Sequence, residues 1–175
     1  GYLGSMSDRI LDEGGTIDKY IGDSIVSFFG APVDLENSSW SACVSAIKMK
    51  ETEMEFNRVN MASGLIPCEL KTRIGINTGE MVVGNMGTNS KMNYTIMGDA
   101  VNLASRLEGV NKVYKSWIMC SDQTWKEANS MEKQGLLAAR KLGKVRGVGR
   151  DESVQLWKIL GFINELPDNV LEALS

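Results

Sequence analysis

Apolar and polar residues alternate along the chain with two periods, and the changes from one to the other mark out its elements. Residues 2–11 carry Leu3, Met6, Ile10 and Leu11 at helical spacing, and Gly14-Gly15 just beyond would stop a helix. Residues 16–21 and 24–29 are β-prone runs separated by Gly22-Asp23, a pair suited to a tight hairpin turn, which places Asp23 at the tip. A helix is predicted over 39–60, with Trp40, Cys43, Val44 and Ile47 on one face and Lys48, Glu51 and Glu55 largely away from it. Over 69–77, Leu70, Thr72, Ile74 and Ile76 alternate with Lys71, Arg73, Gly75 and Asn77, the period of a strand with unlike faces. Thr78-Gly79 turns the chain into a run at 80–83, Gly84 and Gly87 mark a loop, and 93–97 reads as a further strand. A helix follows over 99–109, with Asp99 as its N-cap and Gly109 near its end. A strand at 116–120, a short helix at 122–128 and a strand at 154–160 complete the order. Hairpins alternating with crossing helices predict an α+β domain, one mixed sheet with helices packed on it.

Composition narrows the chemistry. A chain of 175 residues, 43% hydrophobic and 23% charged, has the size and make-up of one soluble globular domain. Its net charge of −3 offers no basic excess for a general nucleic-acid binder. Cys43, Cys68 and Cys120 are odd in number and lack CxxC spacing, which points to neither a disulfide framework nor a zinc site. There is no histidine, so Ser-His and Cys-His nucleophiles are excluded and any chemistry rests on carboxylates, Lys, Arg, hydroxyls or metal. No apolar run is long enough to span a bilayer, and a cytoplasmic location is expected, with anchoring of a longer parent through an upstream region left open.

Two segments concentrate candidate groups. Asp23, on a short glycine-preceded turn, can offer its oxygens to a hard cation such as Mg²⁺, although Gly-Asp is also ordinary turn chemistry. On the helix after Gly98, Ala100, Leu103, Ala104 and Leu107 form an apolar face, and Asn102, Ser105, Arg106 and Gly109 lie opposite. Asn102 and Arg106 therefore project together. An amide and a guanidinium fork so placed suit a sugar oxygen and a phosphate, and equally describe a solvated face.

Taken together, GGTIDKYIGDSIVSFFGAP (14–32), GINTGEMVVGN (75–85) and YTIMGDAVNLASRLEGVNK (94–112) resemble, in order, the signature motifs of the class III adenylyl and guanylyl cyclase catalytic domain. The likeness covers about residues 3–160. It implies a ferredoxin-like mixed sheet with packed helices and a two-metal enzyme whose sites form at a homodimer interface. Asp23 matches one of two metal-binding aspartates, with Mg²⁺ or Mn²⁺ expected as a pair in each site. Lys19 and Thr95 match the pair that reads the purine, and Lys with Asp or Thr is similar to the adenine-selecting form, where guanylyl cyclases usually carry Glu and Cys. Lys donates to adenine N1 and Thr accepts from the exocyclic amine, while guanine presents the reverse pattern. Asn102 matches the ribose-orienting Asn and Arg106 the transition-state Arg. KVRGVGRDESVQLWKI (144–159) resembles the final strand pair, where a Lys approaches the triphosphate; Arg150 is the candidate there, with Lys144 and Arg146 as rivals.

The pattern also departs from that family. Its opening strand, ending in a motif like FSDIRGFT whose Asp is the other metal ligand, has no counterpart, and Asn77 stands where many relatives carry His, with no consequence assigned. The resemblance thus implies a cyclase fold lacking its first strand: an N-terminally incomplete catalytic domain at 1–160, a short helical extension at 161–175, and a chain inactive by itself. For the parent it implies an adenylate cyclase that converts ATP to 3′,5′-cyclic AMP and pyrophosphate, coupled to an upstream sensor or transducer domain. A guanylate cyclase is the first alternative, against which Lys19 and Thr95 argue. A non-catalytic dimerisation or sensing module is the second, against which the joint presence of Asp23, Lys19, Thr95, Asn102 and Arg106 argues. A Walker-type NTPase is not supported, since GxxxxGK[ST] does not occur.

Overall fold

In the computed structural model, which describes residues 1–146 and 152–175, the elements run in the order α1 (Tyr2–Asp12), β1 (Thr16–Ile21), β2 (Ser24–Phe28), α2 (Ser38–Ala62), β3 (Ile74–Ile76), β4 (Val82–Thr88), β5 (Lys91–Met97), α3 (Asp99–Tyr114), β6 (Ile118–Ser121), α4 (Asp122–Ala128), β7 (Leu137–Arg146), β8 (Ser153–Phe162), a 3-10 turn (Ile163–Glu165) and α5 (Asp168–Glu172). They divide between two units. Residues 1–72 and 81–98 make the first, residues 73–80 and 99–175 the second. Among the described residues no helix is long and apolar enough to cross a membrane.

In the first unit α1 packs Met6 and Ile10 inward against α2, whose Cys43, Val44, Ala46 and Ile47 are buried. Asn37 caps α2, its side chain accepting from the Trp40 N–H at 2.8 Å. β1 and β2 form an antiparallel hairpin in which Ile21 faces Ser24 and Gly22, at φ +61°, supplies the left-handed residue that the tight turn needs. β4 and β5 form a second hairpin, joined to the first by Phe28 and Tyr94, whose ring centroids lie 5.9 Å apart.

Part of the strand expected over 69–77 is absent, because α2 takes over the backbone groups that a neighbouring strand would have paired. Asn57 Nδ2 donates to the Leu70 carbonyl at 2.8 Å, and the Leu70 N–H donates back to Asn57 Oδ1 at 2.9 Å. The Thr72 N–H donates to Glu53 Oε2 at 2.6 Å, and Lys50 Nζ donates to the Thr72 carbonyl at 2.8 Å. Each buried polar group is thereby satisfied without a ladder, and regular pairing survives only at Ile74–Ile76. Glu53 is the hub of this contact: 4% exposed, it also accepts from the Tyr2 hydroxyl at 2.7 Å and pairs with Lys50.

Glycines 84 and 87, read from the sequence as a loop, lie inside β4. At Gly87, φ is +140° and a Cβ would collide with the Lys91 carbonyl, so glycine is what lets the two strands close on their turn.

The second unit holds a four-stranded mixed sheet in the order β3-β6-β8-β7, parallel between β3 and β6 and antiparallel elsewhere. Leu107 of α3, Met119 of β6 and Leu156 of β8 form its core, with Leu103, Val110, Leu142 and Val145 packed around them. Gly75 lets α3 approach β3, since a Cβ there would strike the Ala104 carbonyl and the Glu108 N–H. α3 runs past Gly109 to Tyr114 because the next turn is anchored. The fully buried Asn111 donates through Nδ2 to the Ile74 carbonyl at 2.9 Å. Asp99 is the first residue of α3 and not a residue before it. Ser121 caps α4, and Trp157 stacks on Trp125 while donating to Asp122 Oδ1 at 2.8 Å.

The α+β class and the mixed sheet with helices against it match the expectation. The strands, however, form three separate ladders among the described residues, since each hairpin completes its pairing internally. β8 runs to Phe162, and the 3-10 turn and α5 follow it.

Candidate active site

The first unit presents Lys19, Asp23 and Thr95. Asp23 is exposed at the tip of the β1–β2 hairpin, and among the described residues its carboxylate has neither an ion pair nor a hydrogen bond. A free carboxylate on a rigid turn is a fitting ligand for a hard divalent cation. Among the described residues, however, no group of three or more acidic, histidine or cysteine side chains gathers to hold a metal. Asp23 by itself would be a single ligand, and substrate oxygens, water or a further carboxylate would have to complete the set.

Lys19 leaves β1 with its ammonium 3.4 Å from Asp18 Oδ2, and its side chain is 51% exposed. Thr95 lies opposite Gly84 in the second hairpin, on β5, which packs beside β1. Its hydroxyl oxygen is buried and, among the described residues, has no hydrogen-bond partner. Such a group costs about 1–3 kcal/mol unless something satisfies it.

The second unit presents Asn102 and Arg106, one turn apart on α3, with Asn102 exposed and Arg106 half-buried. Arg106 Nη1 donates to the carbonyl of Arg146 at the end of β7. Among the described residues that contact engages one nitrogen of the fork, and a guanidinium carries further N–H donors. Lys144 and Arg146 are exposed on β7, and Arg150 lies outside the described residues.

A side chain to which the sequence assigned no role holds this helix in place. Asn77, just after β3, donates to the Ala100 carbonyl and accepts from the Ser121 hydroxyl, and Thr78 and Thr124 continue the network with a 2.9 Å hydroxyl contact. At the far end of the same face, Arg73 Nε donates to Glu108 Oε1 at 2.8 Å. The departure from His at position 77 was the one signal available, and only the contacts give it meaning.

Comparison with known proteins decides the family. The Adenylate and Guanylate cyclase catalytic domain matches residues 6–159. The chain belongs to that family. Adenylate cyclase 1 of Rhizobium meliloti (strain 1021) is 35% identical over 172 residues, which is 98% of this chain and 24% of that protein. The cyclase domain described here therefore spans about a quarter of the length of that relative. Among solved structures, the adenylyl cyclase CyaB from P. aeruginosa matches with a TM-score of 0.79 at 33% identity, covering 95% of this chain and 82% of that one. The guanylyl cyclase Cya2 matches almost as well, with a TM-score of 0.77 at 32% identity over 94% and 79% of the two chains. A cyclase fold is thus common to enzymes named for either purine.

Proposed function

We propose that this cyclase domain converts ATP into 3′,5′-cyclic AMP and pyrophosphate. The observation that carries the reading is the presence, within one unit, of an ammonium donor at Lys19 and a buried hydroxyl at Thr95 that no group among the described residues satisfies. Adenine offers an acceptor at N1 and a donor at its 6-amino group, which these two side chains complement. Guanine offers a donor at N1, which the donor-only ammonium of Lys19 cannot accept, while the Thr95 hydroxyl could turn to either base. The adenylate cyclases of Rhizobium meliloti and P. aeruginosa among the similar proteins support the same choice.

In this reading the ribose 3′-oxygen forms a bond to the α-phosphorus, the bond to the bridging oxygen of pyrophosphate breaks, and the 3′-hydroxyl proton is lost. Asn102 orients the ribose through its amide. The free N–H groups of Arg106 donate to the phosphate oxygens that gain charge, a contribution worth about 10²- to 10³-fold in turnover. A pair of Mg²⁺ or Mn²⁺ ions, held in part by Asp23, would supply activation of the nucleophile and neutralisation of the triphosphate. Arg150 is proposed to contact the triphosphate. The catalytic domain is taken to extend over 1–160, to work in a homodimer with metal-binding aspartates from one subunit and Lys19, Thr95, Asn102 and Arg106 from the other, and to serve an upstream sensor or transducer on the cytoplasmic side.

The test is the steady-state rate of the full-length protein with ATP and with GTP, each with Mg²⁺ and with Mn²⁺. Cyclic AMP formation at the higher kcat/KM is expected. Faster cyclisation of GTP would overturn the assignment.

A further inference from the structure

One charged side chain of the first unit is buried without a structural reason. Asp18 lies between Ile17, which faces Ser27, and Lys19, which faces Val26, so it has no residue opposite it and forms a β-bulge in β1. In a regular strand adjacent residues project to opposite faces. The bulge breaks that alternation, re-aims the side chain and brings the Asp18 carboxylate to the Lys19 ammonium. The Asp18 side chain is 3% exposed and that of Lys19 is 51% exposed. Among the described residues Oδ2 of Asp18 accepts no hydrogen bond, and Lys19 is the one cation within ion-pair distance of it.

A carboxylate taken out of water costs stability unless it is well paired and hydrogen-bonded, and strand β1 needs none at this position. What the arrangement does provide is control of a flexible side chain. Lysine has a four-carbon stem and a freely turning ammonium, so a half-exposed Lys19 would sample many positions. A buried, immobile carboxylate holds the ammonium at one.

We infer that Asp18 is a positioning residue for purine selection: its buried carboxylate, brought beside Lys19 by the bulge, fixes the ammonium as a donor at a set place. The inference rests on the proposed reading of Lys19 as the group that meets the purine N1. Held there, the ammonium meets adenine N1 without an ordering cost and cannot turn away from the N1–H of guanine. Released, it pays that cost with ATP and avoids the clash with GTP.

The experiment is a cycle of Asp18→Asn, Lys19→Met and the double variant in the full-length protein, read by kcat and KM with both nucleotides and by thermal melting without nucleotide. Asp18→Asn is expected to lower the ATP-to-GTP ratio of kcat/KM by about 3- to 10-fold, the factor that one immobilised long side chain carries. Most of that change should fall in the KM for ATP. In the Lys19→Met background the same change should leave the ratio where it is. On melting, Lys19→Met strands a buried carboxylate and should lower Tm, and adding Asp18→Asn should recover it. Asp18→Ser is the second probe should Asp18→Asn not fold, with the same expectation. Equal losses with ATP and GTP, or effects of the two single changes that simply multiply, would overturn the inference. A wild-type protein that does not prefer ATP would instead remove the assignment of Lys19 beneath it. The melting cycle still judges the pair in that event: recovery in the double variant supports it and additivity refutes it.

Discussion

Asn77 and Ala100 are joined by a 3.0 Å hydrogen bond from the Asn77 amide to the Ala100 carbonyl, which ties the end of β3 to the first turn of α3. The other side of the same amide accepts from Ser121 Oγ at 2.7 Å, at the cap of α4. One side chain thus sets where the helix that carries Asn102 begins.

Replacing Asn77 by Ala should remove its hydrogen bonds to the Ala100 carbonyl and from the Ser121 hydroxyl, and, at about 0.5–1.5 kcal/mol each, destabilise the protein by about 1–3 kcal/mol. Asn77→His, which keeps one donor and one acceptor, should lose less. Urea unfolding of the two variants beside the wild type checks the order, and equal stability for Asn77→Ala would show that the network carries little.

A second expectation concerns acid. Burial alone pushes the Glu53 carboxyl up, but hydrogen bonds from Lys50, Tyr2 and Thr72 outweigh it and hold the group below the ordinary carboxylate range. Because the folded value is depressed, the stabilisation is present above the unfolded-state value of about 4.3 and is lost as pH falls through the folded one. Thermal melts from pH 7 to pH 3 should show this loss, and Glu53→Gln should flatten that part of the profile. An unchanged profile in the variant would remove Glu53 as the cause.

Purine choice can be inverted if Lys19 and Thr95 set it. The pair Lys19→Glu with Thr95→Cys presents an acceptor in place of the ammonium and should shift the full-length protein toward GTP. The ratio of cyclic GMP to cyclic AMP formed from equal nucleotide concentrations measures it. A ratio that does not move would place selection elsewhere.

Shared sites make a distinct prediction. Asp23→Ala and Arg106→Ala should each be nearly silent, Arg106→Ala by about 10²- to 10³-fold. Mixed under conditions where subunit exchange is demonstrated, they should regain part of the activity, because one site of each mixed dimer keeps a full set. A mixture as inactive as its parts would rule out sites shared in this way.

What the sequence disclosed was local. Gly22-Asp23 dictates a tight turn, and the spacing of Leu103 and Leu107 turns Asn102 and Arg106 away from the core, so these positions could be placed before any contact was known. Period two over 69–77 showed an extended chain but not its partner, and the side chains of Asn57, Glu53 and Lys50 took the place of a strand. α3 outran Gly109 because Asn111 is anchored by a carbonyl distant in sequence. The first half of β7 escaped notice because register shifts near Ala138 and between Lys141 and Lys144 spoil its alternation. Asp18 was hidden for the same reason, since a bulge has no periodic signature.

The path of the chain through its two units bears on ancestry. It enters the first unit, leaves at Arg73, returns at Met81 and departs again at Asp99, so that neither unit is a continuous stretch of sequence. Thr95 and Asn102 stand on either side of the last crossing. Recombination at a single breakpoint cannot lift out one unit whole, and gene duplication copies both or neither. A single exchanged segment that carries either unit complete must therefore carry part of the other with it.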